Sequence, residues 1–327
     1  MSTESPTATD TRQAPLPHKK VGVLGLGAMG APIAHNFVSA GQPLVVKDEN
    51  PRAQERFLAD HPTAAGASTL DDFAECEIVV LVLPNSDIVG NVVLSDHGLL
   101  TYLRPGSTLV DMGSSVPART QALARAASHR NVTVVDAPVS GGVTRAWAAD
   151  LAVMVGGEKH HYESVLPLLR TTGSRIIHVG TIGSGHAAKA LNNMLSATGL
   201  VAAAEVLLVG RRFGIDPSIL LSVINASSGR NQATETKYEE FILSRTYAAG
   251  FSAQLMRKDI GIALDLAQTE GVEVALGGAL GKLWRSAVES LEPGADHTEV
   301  VRYLEELTGV SLDSAAMGAT PHQAAHH

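Results

Sequence analysis

Short aliphatic runs alternate with helix-sized segments over the first half of the chain. The runs are four to six residues long, are rich in Val, Ile and Leu, and are bounded by turn-forming residues, which is typical of strands buried on both faces of a sheet. This alternation predicts a parallel, doubly wound α/β sheet. The predicted strands are Val21–Leu24, Leu44–Lys47, Ile78–Leu83, Thr108–Asp111, Val132–Asp136, Leu151–Val155 and Arg175–Val179.

Beyond the last of these strands, the patterns are helical and long. The first runs from Gly185 through Phe213 without an internal proline. We therefore predict an α/β domain over residues 20–183 and an all-helical domain over residues 184–312. Residues 1–19 and 313–327 lack a regular period and are predicted to be a disordered leader and tail.

No segment has the pattern of a signal peptide or a membrane span. The leader lacks an apolar run of about 7–15 residues, which forms the core of a signal peptide. The stretch Met194 to Gly210 is interrupted by Ser196, Thr198 and Glu205 and is shorter than the roughly 20 apolar residues of a membrane span. A buried helix is predicted there.

Charge and cysteine content narrow the class of partner. The 25 Lys and Arg residues against 33 Asp and Glu residues give a net charge of -8, which provides no overall attraction to nucleic acid or an anionic membrane. The single cysteine, Cys76, excludes an intramolecular disulfide and a Cys-rich zinc site. We expect a small soluble partner and, because reduced thiols fit a reducing compartment, a cytoplasmic location.

A glycine-rich turn follows the first predicted strand and opens a helical segment at residues 31–40. In its GxGxxG spacing, the first glycine permits a tight turn, the second lets the backbone approach a pyrophosphate, and the third lets helix and strand pack closely. The amides of the helix N-terminus suit the phosphates of a dinucleotide. The predicted cofactor-binding residues of the turn are Gly25, Leu26, Gly27, Ala28, Met29 and Gly30.

Asp48 ends the next strand, 23 positions after Gly25. A carboxylate at this place accepts hydrogen bonds from the ribose hydroxyls of NAD and repels the 2′-phosphate of NADP. NAD is therefore the predicted cofactor. NADP remains an alternative cofactor, because the cationic side chain of Lys47 offsets part of the repulsion between Asp48 and the 2′-phosphate.

Two further segments carry candidate chemistry. Ser140, Gly141 and Gly142 follow a strand at the edge where open α/β sheets bind ligands, and a hydroxyl with two accessible amides suits a carboxylate. The long helix presents Lys189, with Asn192 and Asn193 on the next turn. Taken alone, the lysine is either a general base or a residue whose stem covers apolar surface.

Four motifs together resemble the β-hydroxyacid dehydrogenase family, which includes 3-hydroxyisobutyrate dehydrogenase and tartronate semialdehyde reductase. They are the GLGAMG turn, the DAPVSGG segment that begins at Asp136, the GSGHAAKALNN helix and the Lys258-Asp259 pair, and the likeness covers about Lys20 to Leu312. The resemblance implies an N-terminal Rossmann-type domain, a long interdomain helix and an all-helical domain for substrate binding and dimerisation. A homodimer or homotetramer is therefore expected.

The resemblance also implies roles for individual residues. Lys189 matches the catalytic lysine, which acts as a general base on the substrate hydroxyl in oxidation and as an acid in reduction. Asn192 and Asn193 match positions that hold the substrate. Residues that match the cofactor-contacting positions are Leu83, Pro84, Asn85, Ser114 and Lys258.

Substrate selection is expected in the polar run that includes Arg230 and Asn231, because relatives place selecting residues there. A guanidinium and an amide suit a polyhydroxylated or doubly anionic acid. Arg145, Trp147 and Asp150 depart from the family pattern: they either face solvent and the sheet edge or narrow the mouth of the site.

The predicted function is hydride transfer between NAD and a small anionic β-hydroxyacid, such as 3-hydroxyisobutyrate, threonate or glycerate. The alternative is an NADPH-dependent reductase of a short semialdehyde acid, such as tartronate or succinic semialdehyde, or of glyoxylate. A non-catalytic binding module or an imine reductase on the same fold is disfavoured by the presence of Lys189. No metal is expected, and His297 is predicted to begin a terminal helix.

Overall fold

The computed structural model of the chain describes residues 19–313. The leader and tail predicted at the two ends therefore lie almost wholly outside the described residues. The described residues form two compact units, which divide between Gly183 and Ser184. Each unit has its own apolar core.

The first unit contains the strands, and the second is helical. The strands are β1 Val21–Leu24, β2 Leu44–Lys47, β3 Ala65–Gly66, β4 Ile78–Leu81, β5 Thr108–Asp111, β6 Thr133–Asp136, β7 Val139–Ser140, β8 Ala152–Gly156 and β9 Arg175–Gly180. The helices of the first unit are α1 Gly30–Ser39, α2 Pro51–Asp60, α3 Ser86–Leu94, α4 Leu99–Tyr102, α5 Pro117–Ser128, α6 Gly142–Trp147 and α7 Lys159–Leu169. Those of the second unit are α8 Ser184–Phe213, α9 Pro217–Asn225, α10 Gln232–Thr236, α11 Ala253–Thr269, α12 Ala275–Ser290 and α13 Val300–Thr308. Short 3-10 helices lie at Leu70–Phe73 and His297–Glu299, and a π-helical turn lies at Tyr238–Leu243.

The sheet has the strand order β3-β2-β1-β4-β5-β6 with parallel neighbours, followed by β8. Successive residues of a strand enter opposite cores: Ile78 and Val80 pack on one face, and Val79 and Leu81 pack on the other. Burial on both faces explains the uninterrupted aliphatic runs in the sequence. The predicted doubly wound Rossmann-type sheet with a helical second part is confirmed.

The strand–helix rhythm does not hold to the end of the sheet. β8 pairs antiparallel with β6 and with β7, and β9 then pairs parallel with β8. A parallel partner needs a full crossover connection, whereas the six-residue α6 and the two-residue β7 join β6 to β8 here. The sheet is therefore antiparallel where β8 meets β6 and β7, a local departure that the strand–helix pattern did not predict, and the two-residue strands β3 and β7 were not predicted either.

Helix α8 is the centre of the second unit. Its buried side packs against the other helices through residues that include Ala197, Leu200, Ala204 and Leu207, in a core that also holds Trp284. By length and composition alone, α8 is apolar enough to cross a membrane. Half of its most apolar window is buried within the protein, as in the core helix of a globular unit.

Candidate active site

The glycine turn after β1 has the geometry that the sequence predicts. Gly25 adopts a φ of +94°, and a Cβ at this position would lie 2.3 Å from the carbonyl oxygen of Val82. A Cβ on Gly30 would lie 1.9 Å from the carbonyl oxygen of Gly25, so α1 starts tightly against the turn. By contrast, apart from Gly27 itself and its two chain neighbours, no residue has an atom within 4 Å of the Cβ position of Gly27. The backbone at Gly27 is therefore open to a ligand, as a pyrophosphate requires.

Asp48 is fixed beside this turn. Its Oδ2 accepts a hydrogen bond from the backbone amide of Leu26 at 2.6 Å, and its Oδ1 accepts one from that of Asn50 at 2.7 Å. The carboxylate thus stands at the carboxyl end of β2, next to the glycine turn at the end of β1. This arrangement agrees with the roles predicted from the sequence, which are pyrophosphate binding for the turn and ribose binding for Asp48, and both roles stay predictions.

The loops after β4 and β5 meet at the same edge of the sheet. A Cβ on Gly113 would lie 2.6 Å from the carbonyl oxygen of Leu83, so the two loops touch at these positions. Asn85 caps α3 by accepting a hydrogen bond from the amide of Ile88 at 3.0 Å. Pro84 precedes this cap and Ser114 follows Gly113, which places all four predicted positions, residues 83–85 and 114, in the two loops. Their contact with the cofactor stays a prediction.

The segment predicted to bind a carboxylate lies at the end of β7 and immediately after it. Ser140 ends that strand, and Gly141 and Gly142 have φ values of +139° and +72°, which favour glycine. Both glycines are exposed, whereas Ser140 is half-buried. A hydroxyl and two backbone amides are thus presented close together, with no side chain on the glycines to cover them.

The family departures nearby have a structural account. Arg145 Nε donates to Asp150 Oδ2 at 3.0 Å, and Ser174 Oγ donates to Asp150 Oδ1 at 2.5 Å. Both charged side chains remain partly exposed. Trp147 is half exposed and packs on the ring of His35 in α1, with ring centroids 5.2 Å apart. These contacts join α6 to the loop before β8 and to α1.

In the helical unit, Lys189 lies on one face of α8 with Asn193 and Ser196, because residues four and seven positions apart align on a helix. Burial lowers the pKa of Lys189, and the charge of Lys258 lowers it further, whereas Asp259 raises it. Within the part of the chain that the structure describes, the Lys189 ammonium makes no hydrogen bond and no ion pair. A lysine with a lowered pKa and open donors is suited to accept and return a proton.

A buried carboxylate organises the surroundings of Lys189. Asp259, on α11, accepts a hydrogen bond at Oδ2 from Asn193 Nδ2 at 2.6 Å, and its Oδ1 lies 3.6 Å from Lys258 Nζ. Asn192 is exposed, and its amide donates to Asn193 Oδ1 at 3.3 Å. The structure therefore brings the four predicted residues Lys189, Asn192, Asn193 and Lys258 together around Asp259, which the sequence indicated only as the second residue of a motif.

The polar run in the helical unit splits into residues with different environments. Arg230 is exposed. Asn231 caps α10, since its Oδ1 accepts from the amides of Ala233 at 2.9 Å and Thr234 at 3.2 Å. Its side chain also packs where Gly199 leaves room on α8, 3.3 Å from that residue's Cβ position. Asn231 thus has a capping function, and the substrate-selecting role of both residues stays a prediction.

Sequence reasoning did not single out Lys237, which follows α10. Its Nζ donates to Ser196 Oγ on α8 at 3.4 Å. Burial lowers its pKa to about 8, the charge of Lys189 acts in the same direction, and Asp296 opposes both. The only signal in the sequence was a lysine within a polar run near the predicted selecting residues.

Metal-ligating side chains are not grouped in residues 19–313: no three His, Cys, Asp or Glu side chains lie close enough together to hold an ion. His297 begins a 3-10 helix, and its Nδ1 lies 3.1 Å from the carbonyl oxygen of Phe251.

Both halves of the chain match family models. Residues 20–180 match the NAD binding domain of 6-phosphogluconate dehydrogenase, and residues 183–304 match the NAD-binding domain of NADP-dependent 3-hydroxyisobutyrate dehydrogenase. The matches cover most of the described residues.

Curated relatives and solved structures span nearly the same length. The chain is 34% identical to 2-(hydroxymethyl)glutarate dehydrogenase of Eubacterium barkeri, over 90% of this chain and 97% of the relative. It is 33% identical to the NAD-dependent L-serine dehydrogenase of Pseudomonas aeruginosa, over 89% and 99%. A structure of 3-hydroxyisobutyrate dehydrogenase from Mycobacterium tuberculosis with L-serine matches with a TM-score of 0.82 and 29% identity, over 88% of this chain and 99% of that one.

These matches agree with the geometry of both units, in which a dinucleotide-binding turn and a lysine of lowered pKa occur in the order that the motifs predicted. The chain therefore belongs to the β-hydroxyacid dehydrogenase family, as an NAD(P)-dependent oxidoreductase that acts on the hydroxyl group of a hydroxyacid.

Proposed function

We propose that this enzyme oxidises a small anionic β-hydroxyacid with NAD and uses Lys189 as the general acid and base. The observation that carries the proposal is the state of Lys189: its pKa is lowered, and its ammonium has no hydrogen-bond partner among the described residues. An ordinary lysine has a pKa of about 10.4 and is almost fully protonated near neutral pH. Lowering the pKa increases the neutral fraction, which can take a proton from a hydroxyl.

The residues around Lys189 support this role. The neutral amine accepts the hydroxyl proton, and bound NAD supplies the acceptor for the hydride. Asn193 is held by Asp259, which leaves its second amide proton for the substrate oxygen. In the reverse direction, the protonated Lys189 returns the proton to the carbonyl oxygen.

The carboxylate of the substrate is assigned to Ser140, Gly141 and Gly142. One hydroxyl and two exposed backbone amides provide hydrogen bonds to an anion without adding a titratable group. Asp48 supports NAD over NADP because its carboxylate repels a 2′-phosphate.

The helical unit also supports self-association, in a dimer or tetramer. Its surface exposes large apolar side chains that monomeric soluble proteins seldom group together. On α8, Leu195 is 72% exposed, Val209 is 71% exposed and Phe213 is 80% exposed. We place the enzyme in the cytoplasm, which agrees with its one cysteine, Cys76, being a buried free thiol.

The experiment is a panel followed at 340 nm, in which NAD and NADP are crossed with candidate acids. The acids are 3-hydroxyisobutyrate, serine, glycerate, threonate, 3-hydroxypropionate, 4-hydroxybutyrate and 2-(hydroxymethyl)glutarate. With the best acid, Lys189→Met is expected to lower kcat by about 100- to 10,000-fold. NADH binding, followed by its fluorescence, should persist in this variant.

The matched control is Lys282→Met on α12, which replaces an exposed lysine of the same unit. It should keep kcat within about twofold. Undiminished turnover by Lys189→Met would remove the assignment of the base. If the enzyme oxidises none of these acids but reduces a short semialdehyde acid with NADPH, the alternative function as a semialdehyde reductase is favoured.

A further inference from the structure

Lys237 is a partly buried cation without a counter-ion. Its Nζ makes one hydrogen bond, to Ser196 Oγ at 3.4 Å, and forms no ion pair with any described residue. Its environment disfavours the charge, since burial lowers its pKa to about 8. Removing an ammonium from water without a paired anion costs free energy. The protein nevertheless keeps a lysine at this place.

The carboxylate that acts on Lys237 from a distance already has its own partners. Asp296 Oδ2 accepts hydrogen bonds from the amides of Gly250 at 2.8 Å and Phe251 at 3.1 Å. Its Oδ1 accepts from the amide of Thr298 at 2.9 Å and from the Thr298 hydroxyl at 2.6 Å. Asp296 therefore holds two loops in place and does not neutralise Lys237 by direct contact.

Lys237 and Ser196 together present donors to an external anion. The ammonium carries three N–H groups, one of which is directed to Ser196 Oγ. The Ser196 oxygen accepts that bond, so its own O–H can donate elsewhere. A carboxylate can bind both groups at once through charge-assisted hydrogen bonds.

The position of this pair relates it to Lys189. Ser196 follows Lys189 by seven residues on α8, which is two helical turns on the same face and about 10 Å along the axis. The charge of Lys189 acts on Lys237, so both cations belong to one electrostatic environment. A ligand whose hydroxyl lies at Lys189 can therefore present a second negative group to Lys237.

We propose that Lys237 and Ser196 form a subsite for the second carboxylate of a dicarboxylic β-hydroxyacid. The inference rests on the proposed function, because it assumes that the hydroxyl of the same substrate lies at Lys189. The carboxylate neutralises Lys237 and uses the donors that a monocarboxylic substrate leaves unpaired. The subsite therefore selects diacids over monoacids of the same core structure.

A matched pair of substrates tests this selection. In 2-(hydroxymethyl)glutarate, a carboxymethyl group replaces one methyl hydrogen of 3-hydroxyisobutyrate, and the hydroxymethyl and first carboxylate are unchanged. The wild-type enzyme should show the higher kcat/KM for the diacid. Lys237→Met should lower the diacid-to-monoacid ratio of kcat/KM by about 10- to 100-fold, mostly through KM of the diacid.

Three further variants test whether the diacid-to-monoacid ratio of kcat/KM depends on the positive charge at position 237. Lys237→Arg, which keeps the cation, should restore much of the ratio, and Ser196→Ala should lower it by a smaller factor than Lys237→Met. Lys282→Met, an exposed lysine on α12, should leave the ratio as in the wild type. A wild-type preference for the monoacid, or a ratio that Lys237→Met leaves unchanged, would overturn the subsite.

Binding of glutarate separates this inference from the proposed function, because glutarate has both carboxylates and no hydroxyl to oxidise. Calorimetric titration of the full chain should show glutarate binding that Lys237→Met weakens at least about tenfold. If no hydroxyacid is oxidised but this binding difference is found, the proposed function fails and the subsite stands. If the wild type and Lys237→Met bind glutarate equally, the proposed subsite is wrong, whatever substrate the enzyme oxidises.

Discussion

Asn193 Nδ2 on α8 donates a hydrogen bond to Asp259 Oδ2 on α11 at 2.6 Å, and both side chains are buried. The bond joins two helices that are distant in sequence and orients the amide next to Lys189. The same carboxylate lies 3.6 Å from Lys258 Nζ and raises the pKa of Lys189 against the effect of burial. Asp259 thus positions the Asn193 side chain and raises the pKa of Lys189 through its charge.

Replacement of Asp259 by Asn removes the anion while nearly keeping the shape. Because that anion raises the pKa of Lys189, we expect the pKa to fall further in Asp259→Asn. Oxidation needs neutral Lys189, so the rise of kcat/KM with pH should begin at a lower pH than in the wild type. The pH dependence of kcat/KM measures this shift.

The matched control is Asp265→Asn, at an exposed position on the same helix. Its pH profile should follow that of the wild type. A profile of Asp259→Asn that is displaced to higher pH would contradict the electrostatic role of Asp259.

The stability of the protein should depend on pH through Lys237. Its pKa is about 8 in the folded chain, below the ordinary value of 10.5, so the unfolded chain binds the proton more tightly. The free energy of unfolding is therefore reduced below pH 8, and this penalty is relieved as the pH rises from about 8 to 10.5. The full effect is on the order of 3 kcal/mol.

Lys237→Met should remove this increase. Urea unfolding at pH 7 and at pH 10 in the wild type and the variant gives the comparison, with the exposed Lys282→Met as control. The variant should be more stable than the wild type at pH 7, and the difference should shrink at pH 10. An equal rise of stability with pH in both proteins would show that Lys237 is not the group concerned.

Two glycines of the turn after β1 should respond differently to alanine. A Cβ on Gly30 would lie 1.9 Å from a backbone oxygen, so Gly30→Ala is expected to destabilise the fold by about 1 to 3 kcal/mol. Apart from Gly27 itself and its two chain neighbours, no residue has an atom within 4 Å of the Cβ position of Gly27, so Gly27→Ala should fold normally. It should nevertheless raise KM for NAD at least about tenfold, because the methyl group occupies the space for the pyrophosphate.

Thermal unfolding and NAD titration distinguish the two effects. Each variant serves as the control for the other, since both add one methyl group to the same turn. Tight NAD binding by Gly27→Ala would show that the pyrophosphate lies elsewhere.

Local patterns in the sequence determined much of the fold. Val21–Leu24, Leu44–Lys47 and Thr108–Asp111 were predicted with the bounds that the structure has, because strands buried on both faces must be aliphatic throughout. The glycine turn was equally readable, since Gly25 and Gly30 are required by backbone geometry within a few residues. The motifs identified Lys189, but they did not show that its pKa is lowered.

Contacts between residues far apart in the chain decided the rest. β8 pairs antiparallel with β6 because the short α6 and β7 connect the two strands without a crossover helix. The hydrophobic period of a strand does not encode its direction. Asp259 meets Asn193 across 66 positions, and Lys237 meets Ser196 across 41. A pKa depends on burial and on neighbouring charges, both of which arise only when the helices pack. The sequence by itself therefore determined which side chains were available, and the tertiary structure decided which of them share an electrostatic environment.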